Sequence, residues 1–176
     1  SRDDSETIRN VSIGAAGLTF LISLVLLSKF DSSVQGMQFI ETHAWVPMLN
    51  INYRLGVDGI SLWLVVLTTF ISLIAVCFSL DRDVGFRNFM ALLLALEAGT
   101  LGVFVALDMI LFYVFWELML IPTYFLIGIW GEGNRIYATT KFVLYTLVGS
   151  LFMLLGIIWL SLIHFEATHE FSFDIQ

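Results

Sequence analysis

The chain has 176 residues, of which 59% are hydrophobic and only 13% carry a charge, and its formal net charge is −7. Soluble domains average about 25% charged residues, and a chain this apolar could not cover its surface with polar groups in water. The acidic balance excludes a nucleic-acid-binding face, for which a basic patch would be expected. The composition therefore predicts an integral membrane protein in contact with lipid.

Apolar runs of the right length to cross a bilayer recur along the chain. A hydrocarbon core about 30 Å thick requires roughly 20 apolar residues in a helix. The predicted spans are residues 11–28, 57–80, 88–107, 109–130 and 139–163. The first run could instead be a secretion signal, but no small-residue cleavage site follows Leu27 and further spans come after it. The sequence thus predicts an all-α, polytopic transmembrane helix bundle of about five spans.

The segments between the spans are polar and are predicted to lie outside the lipid. Residues 1–10 form a polar lead, 29–56 a mixed loop, and 164–176 an acidic final loop. Within the first loop, residues 49–55 alternate loosely between apolar and polar and predict a short strand. The second span is closed by the polar cluster Asp81-Arg82-Asp83, and the long apolar stretch 88–131 folds back at Leu107-Asp108-Met109.

The basic residues predict the orientation. With alternating spans, one side of the membrane receives Arg2, Arg9, Arg82, Arg87, Arg135 and Lys141, and the other receives only Lys29 and Arg54. The side with more basic residues is expected to be cytoplasmic, or its organellar equivalent. The loop 29–56 and the segment 164–176 are then extracytoplasmic. The missing initial Met and the end in a loop after a span predict that the chain is part of a longer protein.

Two carboxylates lie inside predicted spans, Glu97 and Glu117. An ionisable group at mid-bilayer costs about 2.5–3.5 kcal/mol on insertion scales, so it faces protein or water and often has a function. Glu117 shares a helical stripe with Tyr113 at i−4 and Tyr124 at i+7, either of which could hydrogen-bond a carboxyl group. Pro122 removes one helix hydrogen bond and frees the carbonyl of Leu118. This pattern predicts a proton-binding position at Glu117.

Each of these residues also has a purely structural interpretation. Glu117 could be a neutral acid that only ties helices together, and the neighbours of Glu97 on its own stripe are apolar. Lys141, near the start of the fifth span, could extend to the interface, or it could be a cation that tunes Glu117. Asp108 is most simply a turn former, and Asp58 could cap the helix that begins beside it.

No metal, cofactor or hydrolytic motif accompanies these acids. His43, His164 and His169 lack metal-ligand spacing and are better explained as solvated loop residues, and Cys77 stands alone in an apolar run. No phosphate-binding glycine loop, nucleophile elbow or cysteine cluster is present in the sequence. Thr139, Thr146 and Ser150 form a stripe of small polar residues that is more typical of helix packing than of a water path.

Several segments closely resemble one membrane-protein family, that of chain M (subunit 4 in mitochondria) of the proton-pumping NADH–quinone oxidoreductase, respiratory complex I. The match extends from about residue 40 to the end of the chain. The segments that carry the resemblance are LGVDGISL at 55–62, LDM at 107–109, FWELMLIP at 115–122, YFLIGIWG at 124–131 and ATTKF at 138–142. The first forty residues fit the layout of the family but carry no motif.

The resemblance implies an antiporter-like subunit in which a glutamate matching Glu117 pairs with a lysine on a later span, and a lysine matching Lys141 belongs to the same polar axis. It implies the second to sixth spans of such a subunit, without the helices that bear the partner lysine. It also implies no redox cofactor in this chain, since NADH, FMN, the iron–sulfur clusters and quinone would be bound by other subunits. The expected partners are lipid and other membrane subunits of complex I, especially neighbouring antiporter-like chains, and the expected location is a bacterial inner membrane or an organellar energy-coupling membrane.

Two other functions stay open. One is a subunit of a multi-subunit sodium/proton antiporter with no redox partner, which belongs to the same superfamily. The other is a non-pumping structural membrane subunit, in which Glu117 and Lys141 only hold helices together. The structural alternative predicts normal pumping when Glu117 is replaced by Gln.

Overall fold

The chain folds into a bundle of long helices with a β-hairpin at one end. A computed structural model describes residues 2–34, 36–80, 85–169 and 171–175, with side chains from residue 6 onward. Within these ranges five helices are long and apolar enough to cross a membrane: α1 (Arg2–Lys29), α2 (Gly59–Phe78), α3 (Phe86–Val105), α4 (Met109–Trp130) and α5 (Arg135–Thr168). The predicted all-α transmembrane bundle is confirmed. The cluster Asp81-Arg82-Asp83 and the side chain of Arg2 lie outside the described residues.

The helices at the two ends of the chain are longer than the apolar runs that predicted them. Helix α1 includes most of the polar lead 1–10, and α5 continues through residues 164–168. At roughly 1.5 Å per residue, the 34 residues of α5 measure about 51 Å, more than a hydrocarbon core about 30 Å thick. The prediction of a loop from residue 164 is therefore wrong for its first five residues, because hydropathy marks contact with lipid and not the end of a helix.

The segment predicted as the loop 29–56 contains a β-hairpin. Strand β1 (Gln38–Val46) pairs antiparallel with β2 (Ile51–Val57) across a short 3₁₀ turn. Strand β2 overlaps the predicted strand 49–55, whereas β1 was missed. Two register irregularities interrupt β1, and each bulge breaks the alternation of apolar and polar residues on which strand prediction depends.

The turn between α3 and α4 lies between β2 and the end of the chain. The Leu107 N–H donates to the carbonyl of Arg54 at 2.9 Å, and the Met109 N–H donates to the carbonyl of Phe173 at 2.8 Å. Arg54 also forms an ion pair with Asp174. The hairpin, this turn and the final segment are thus joined at one end of the bundle, as alternating spans require.

Asp108 begins α4 and links it to the hairpin. Its Oδ1 accepts hydrogen bonds from the backbone N–H groups of Ile110 (2.9 Å) and Leu111 (3.1 Å), the usual geometry of a helix N-cap. Its Oδ2 accepts a bond from the Asn52 N–H in β2 at 3.1 Å. The side chain is only 2% exposed. Asp108 therefore caps α4 and joins it to β2, in addition to the role in the turn that its sequence position indicates.

Two glycines allow α3 and α4 to approach closely. A Cβ at Gly99 would lie 2.9 Å from Cγ of Met119, and one at Gly102 would lie 2.3 Å from Cδ1 of Phe115. The opposite side of α3 packs against α1 and α2 through an apolar cluster whose buried members are Ala16, Val76, Phe89 and Met90. Helix α3 is thus enclosed on two sides.

Asp58 caps α2, as its position predicts. Its Oδ1 accepts from the Ser61 N–H at 2.7 Å, and the Ser61 hydroxyl accepts from the Asp58 N–H at 2.8 Å, which completes a capping box. The hydrogen bond from the Ser61 backbone holds the pKa of Asp58 below its ordinary value of 3.8, against the opposing effect of burial.

This cap gives a pH-dependent prediction. We expect Asp58→Ala to lower the free energy of unfolding by about 1 kcal/mol at neutral pH. Because the pKa is lowered in the folded protein, the stabilisation is complete above the ordinary pKa and is lost as the pH falls through the folded value. Thermal unfolding in detergent, followed from neutral to acid pH, should show the difference between Asp58→Ala and the unmodified protein shrink. Asp58→Asn is the control, since it keeps a capping oxygen without a titrating charge; equal stability of Asp58→Ala at neutral pH would contradict the prediction.

Candidate functional site

Glu117 lies on the third turn of α4 and faces the interface with α5. Its side chain is half-buried, and its Oε1 is fully buried without a hydrogen-bond partner in the protein. Leaving a buried polar oxygen unpaired costs about 1–3 kcal/mol, and more if the group is charged. The carboxyl group therefore has one buried oxygen that no other group of the described protein satisfies.

Tyr113 is the nearest polar neighbour of Glu117. The Tyr113 hydroxyl lies close to two polar side chains, the Glu117 carboxyl on its own helix and the Ser150 hydroxyl on α5. Ser150 is only 3% exposed. The sequence pairs Tyr113 with Glu117 by their i, i+4 spacing, but it places Ser150 only in a packing stripe, because nothing local indicates which residue of α5 faces α4.

On its other side, Glu117 lines an apolar groove between α4 and α5. The groove has a volume of about 420 Å³ and is lined by Glu117, Leu120, Ile121, Tyr124, Phe125, Val143 and Leu147. Tyr124 also lines a second groove, further along the same pair of helices, with a volume of about 300 Å³. The predicted stripe from Glu117 to Tyr124 thus lies along one continuous interface between α4 and α5. Both side chains line the first groove, and Tyr124 also lines the second.

Pro122 is buried and does not interrupt α4, which is continuous from Met109 to Trp130. Proline has no N–H, so the carbonyl of Leu118 lacks its usual donor four residues later. The Thr123 hydroxyl donates to the neighbouring carbonyl of Met119 at 2.7 Å. The carbonyl next to Glu117 in sequence, that of Leu118, thus has no N–H donor at the usual position of the helix.

Lys141 lies on the exposed side of α5, and the structure does not bring it next to Glu117. Its Nζ is 5.7 Å from the ring centroid of Tyr137 and 5.8 Å from that of Tyr145, distances at which aromatic rings attract a cation. No ion pair joins Lys141 to Glu117 in the described part of the chain.

The packing of α4 on α5 sets the separation of these two residues. Gly128 faces Thr139. Glu117 precedes Gly128 by eleven residues and Lys141 follows Thr139 by two, which leaves about 13 Å along the helix axes at roughly 1.5 Å per residue. At an effective dielectric constant of about 20, two unit charges at that distance interact by only about 1 kcal/mol.

Glu97 lies on α3 and does not line the groove of Glu117. It is 5% exposed, and its Oε1 is buried without a hydrogen-bond partner in the protein. Three buried side-chain oxygens of the described residues are unpaired in this way, and two of them belong to the two carboxylates that the sequence places in the membrane. No group of three His, Cys, Asp or Glu residues in the described ranges could hold a metal ion.

Comparison with known proteins gives consistent matches. Residues 106–173 match a family model described as NADH:quinone oxidoreductase/Mrp antiporter, transmembrane region. The chain is 47% identical over 148 residues to NADH-quinone oxidoreductase subunit M of Rhodobacter capsulatus, covering 84% of this chain and 28% of that protein. It is 42% identical over 170 residues to F(420)H(2) dehydrogenase subunit M of Methanosarcina mazei, covering 92% of this chain and 34% of the relative.

A solved structure agrees with these relatives. Respiratory complex I from Thermus thermophilus contains a chain that superposes with a TM-score of 0.75 at 30% sequence identity, covering 93% of this chain and 33% of that one. The chain thus spans about a third of the length of the relatives that it matches. The matches include the whole of α4 and with it the Glu117 position.

Proposed function

We propose that this chain is part of an antiporter-like subunit of complex I, because residues 106–173 match the family model of NADH:quinone oxidoreductase/Mrp antiporter membrane subunits and most of the chain aligns with a subunit M. In this proposal the subunit couples electron transfer from NADH to quinone to the translocation of protons. Glu117 takes up and releases the proton within the membrane. The proposal rests on the family, and on the chemistry of one acidic side chain.

The observation that carries the proposal is the buried, unpaired Oε1 of Glu117 at the α4–α5 interface. A carboxyl group used for transport must be stable in both protonation states, and so it needs neighbours that can respond to a change of charge. The hydroxyl of Tyr113 can donate to a carboxylate, and the groove on the other side of Glu117 leaves room for a further proton donor or acceptor. A residue used only to join helices would instead be expected to have a fixed partner.

Lys141 acts at a distance in this proposal. At about 13 Å along the helix axes, its charge interacts with that of Glu117 by about 1 kcal/mol at most, so Lys141 is a distant charge and not an ion-pair partner. Tyr124, Pro122 and Glu97 are supporting residues. Tyr124 extends the polar side of the interface, and Pro122 leaves a carbonyl acceptor beside it.

The partners and cofactors follow from the same assignment. We propose that other membrane subunits, above all further antiporter-like chains, and lipid cover the exposed faces of the helices. NADH, FMN, iron–sulfur clusters and quinone would be bound by other subunits, and the location would be a bacterial inner membrane or a related energy-coupling membrane. Subunit M of an F(420)H(2) dehydrogenase is also similar to this chain. Similar membrane subunits in enzymes named for different electron donors support the idea that other chains select the donor.

The test is proton pumping by vesicles that carry Glu117→Gln in the full-length protein, with NADH–quinone activity measured in the same vesicles. We expect both to fall at least tenfold while the complex stays assembled, because the amide has the shape of the acid but cannot take up or release the proton. Glu132→Gln is the matched control, since it makes the same chemical change at an exposed loop position, and it should retain most of both activities. Full pumping by Glu117→Gln would overturn the assignment and favour the structural alternative.

The same vesicles separate complex I from a sodium/proton antiporter. The family description includes both kinds of protein. In a complex I subunit, Glu117→Gln changes NADH-driven pumping. In an antiporter subunit, it would change sodium-driven proton exchange and leave NADH oxidation unaffected.

A further inference from the structure

A second polar group lies in the core formed by α1, α2 and α3, away from the Glu117 groove. The Ser23 Oγ on α1 and the Thr69 Oγ1 on α2 are 2.9 Å apart, a hydrogen bond between two helices. Ser23 is 3% exposed and Thr69 is fully buried. The two paired hydroxyls lie at the same height in a core that is otherwise mostly apolar.

The helix repeat relates this pair to the apolar cluster beneath it. Ala16 on α1 and Val76 on α2 belong to one buried cluster. Ser23 follows Ala16 by seven residues and Thr69 precedes Val76 by seven residues, and seven residues make two turns that return to almost the same face. Because α1 and α2 are antiparallel, moving from Ala16 to Ser23 and from Val76 to Thr69 leads to the same height along the bundle axis. The hydrogen bond between Ser23 and Thr69 agrees with this.

Helix α3 contributes a carboxyl group to this level. Met90 belongs to the same buried cluster, and Glu97 follows it by seven residues, two turns along the same face of α3. Since α3 runs parallel to α1, this step leads in the same direction as the step to Ser23. Ser23, Thr69 and Glu97 therefore form one layer of the three-helix core, which we call the polar layer.

The polar layer is separate from the Glu117 site. Gly99, which contacts α4, is two residues from Glu97 and hence about 200° around α3. Glu97 thus points towards α1 and α2, and the body of α3 separates it from α4. Residues 11–28 of α1 carry no titratable side chain, and α2 carries only the exposed Cys77. No charged group of these two helices faces Glu97 within the membrane.

The chemistry of the layer favours a carboxylic acid that carries its proton. The hydroxyl of Ser23 lies 2.7 Å from the carbonyl of Phe20, and that of Thr69 lies 3.0 Å from the carbonyl of Val66. One of the two hydroxyls donates to the other, and the second donates to its backbone carbonyl, so the single proton of each is used within the pair. The oxygen lone pairs that remain can accept, and they match the O–H donor of a neutral acid. A carboxylate would be 95% buried with an unpaired oxygen and no cation beside it, which is costly.

We propose that the polar layer is a second proton-binding site of this subunit, with Glu97 as the group that holds the proton. This inference rests on the proposed function, because it assigns a further proton position to a subunit that moves protons. The second site differs from the Glu117 site in location, since it lies between α1, α2 and α3. It also differs in chemistry, since hydroxyl acceptors take the place of the Tyr113 phenol. The ligand is a proton, bound to a single carboxyl group.

The test is infrared spectroscopy of the assembled complex at neutral pH, with Glu97→Gln in the full-length protein. We expect the variant to lose one carbonyl band of a protonated carboxyl group, and its proton-to-electron ratio to fall. Thr69→Val removes an acceptor but leaves the acid, so it should shift this band without removing it. A purely structural Glu97 that is paired and charged would give no such band, and identical spectra for Glu97→Gln and the unmodified protein would overturn the inference.

Three outcomes of these measurements distinguish a failure of the polar layer from a failure of the proposed function. If Glu117→Gln pumps normally while Glu97→Gln still loses the band, the proposed role of Glu117 fails and the polar layer stands. If Glu97→Gln loses neither the band nor any pumping while Glu117→Gln is inactive, the polar layer fails and the proposed function stands. If added sodium ions remove the band from the unmodified protein, the layer binds sodium and the inference is overturned.

Discussion

Replacing Asp108 by alanine is expected to lower the free energy of unfolding by about 2–4 kcal/mol, because three backbone N–H groups lose their acceptor in a buried position. The groups are those of Ile110 and Leu111 at the start of α4 and that of Asn52 in β2. Water cannot replace the lost oxygens, since Asp108 is only 2% exposed. The measurement is thermal unfolding of the full-length protein in detergent.

Two variants control this prediction. Asp108→Asn keeps one side-chain oxygen for the helix cap and should lose less stability than Asp108→Ala. Asp31→Ala removes an acid that is also bonded to a nearby N–H, that of Ser33, but Asp31 is exposed, so the loss should be small. Equal unfolding temperatures for Asp108→Ala and Asp31→Ala would show that the buried cap stabilises the protein no more than an exposed acid does.

The second large effect is expected at Gly102. A Cβ there would lie 2.3 Å from the ring of Phe115, so Gly102→Ala must push α4 away from α3. Overpacking of this kind costs roughly 1–3 kcal/mol. Since Phe115 is two residues from Glu117 on the same helix, we also expect lower proton pumping from vesicles that contain the variant.

Gly149→Ala is the matched control for Gly102→Ala. Gly149 lies in the middle of α5, and a Cβ there would meet no atom within 4 Å in the described residues. The same chemical change should therefore leave stability and pumping nearly unchanged, or raise stability slightly through helix propensity. Similar losses from both variants would mean that glycine is needed for some reason other than the α3–α4 contact.

The spans and Glu117 could be predicted from the sequence because their signals are local. A long apolar run needs no partner to be recognised, and an acid within such a run is conspicuous against it. The polar layer could not be predicted in this way. Ser23, Thr69 and Glu97 each lie on a different helix, and their common level depends on packing between helices.

The same reason explains what was missed at the hairpin end. Arg54 and Asp174 are 120 residues apart, and no local pattern relates them. Strand β1 has two register irregularities, which hide its alternation. Ser150 was recognised only as part of a small polar stripe, because the rotation of α5 against α4 is set by side-chain packing. The sequence leaves open whether Lys141 extends to the interface or lies beside Glu117, whereas the structure places the two about 13 Å apart along the helix axes.

The joined segments at the hairpin end have a mechanical consequence. Residue 107 is bonded on one side to β2 and on the other side to the segment 173–175, and α4 begins directly after it. A helix transmits an axial push with little compression, and Glu117 lies eight residues, or about 12 Å, along α4 from its first residue. A force applied to the hairpin outside the lipid would thus reach Glu117, the acid proposed to bind the proton, as an axial displacement of α4.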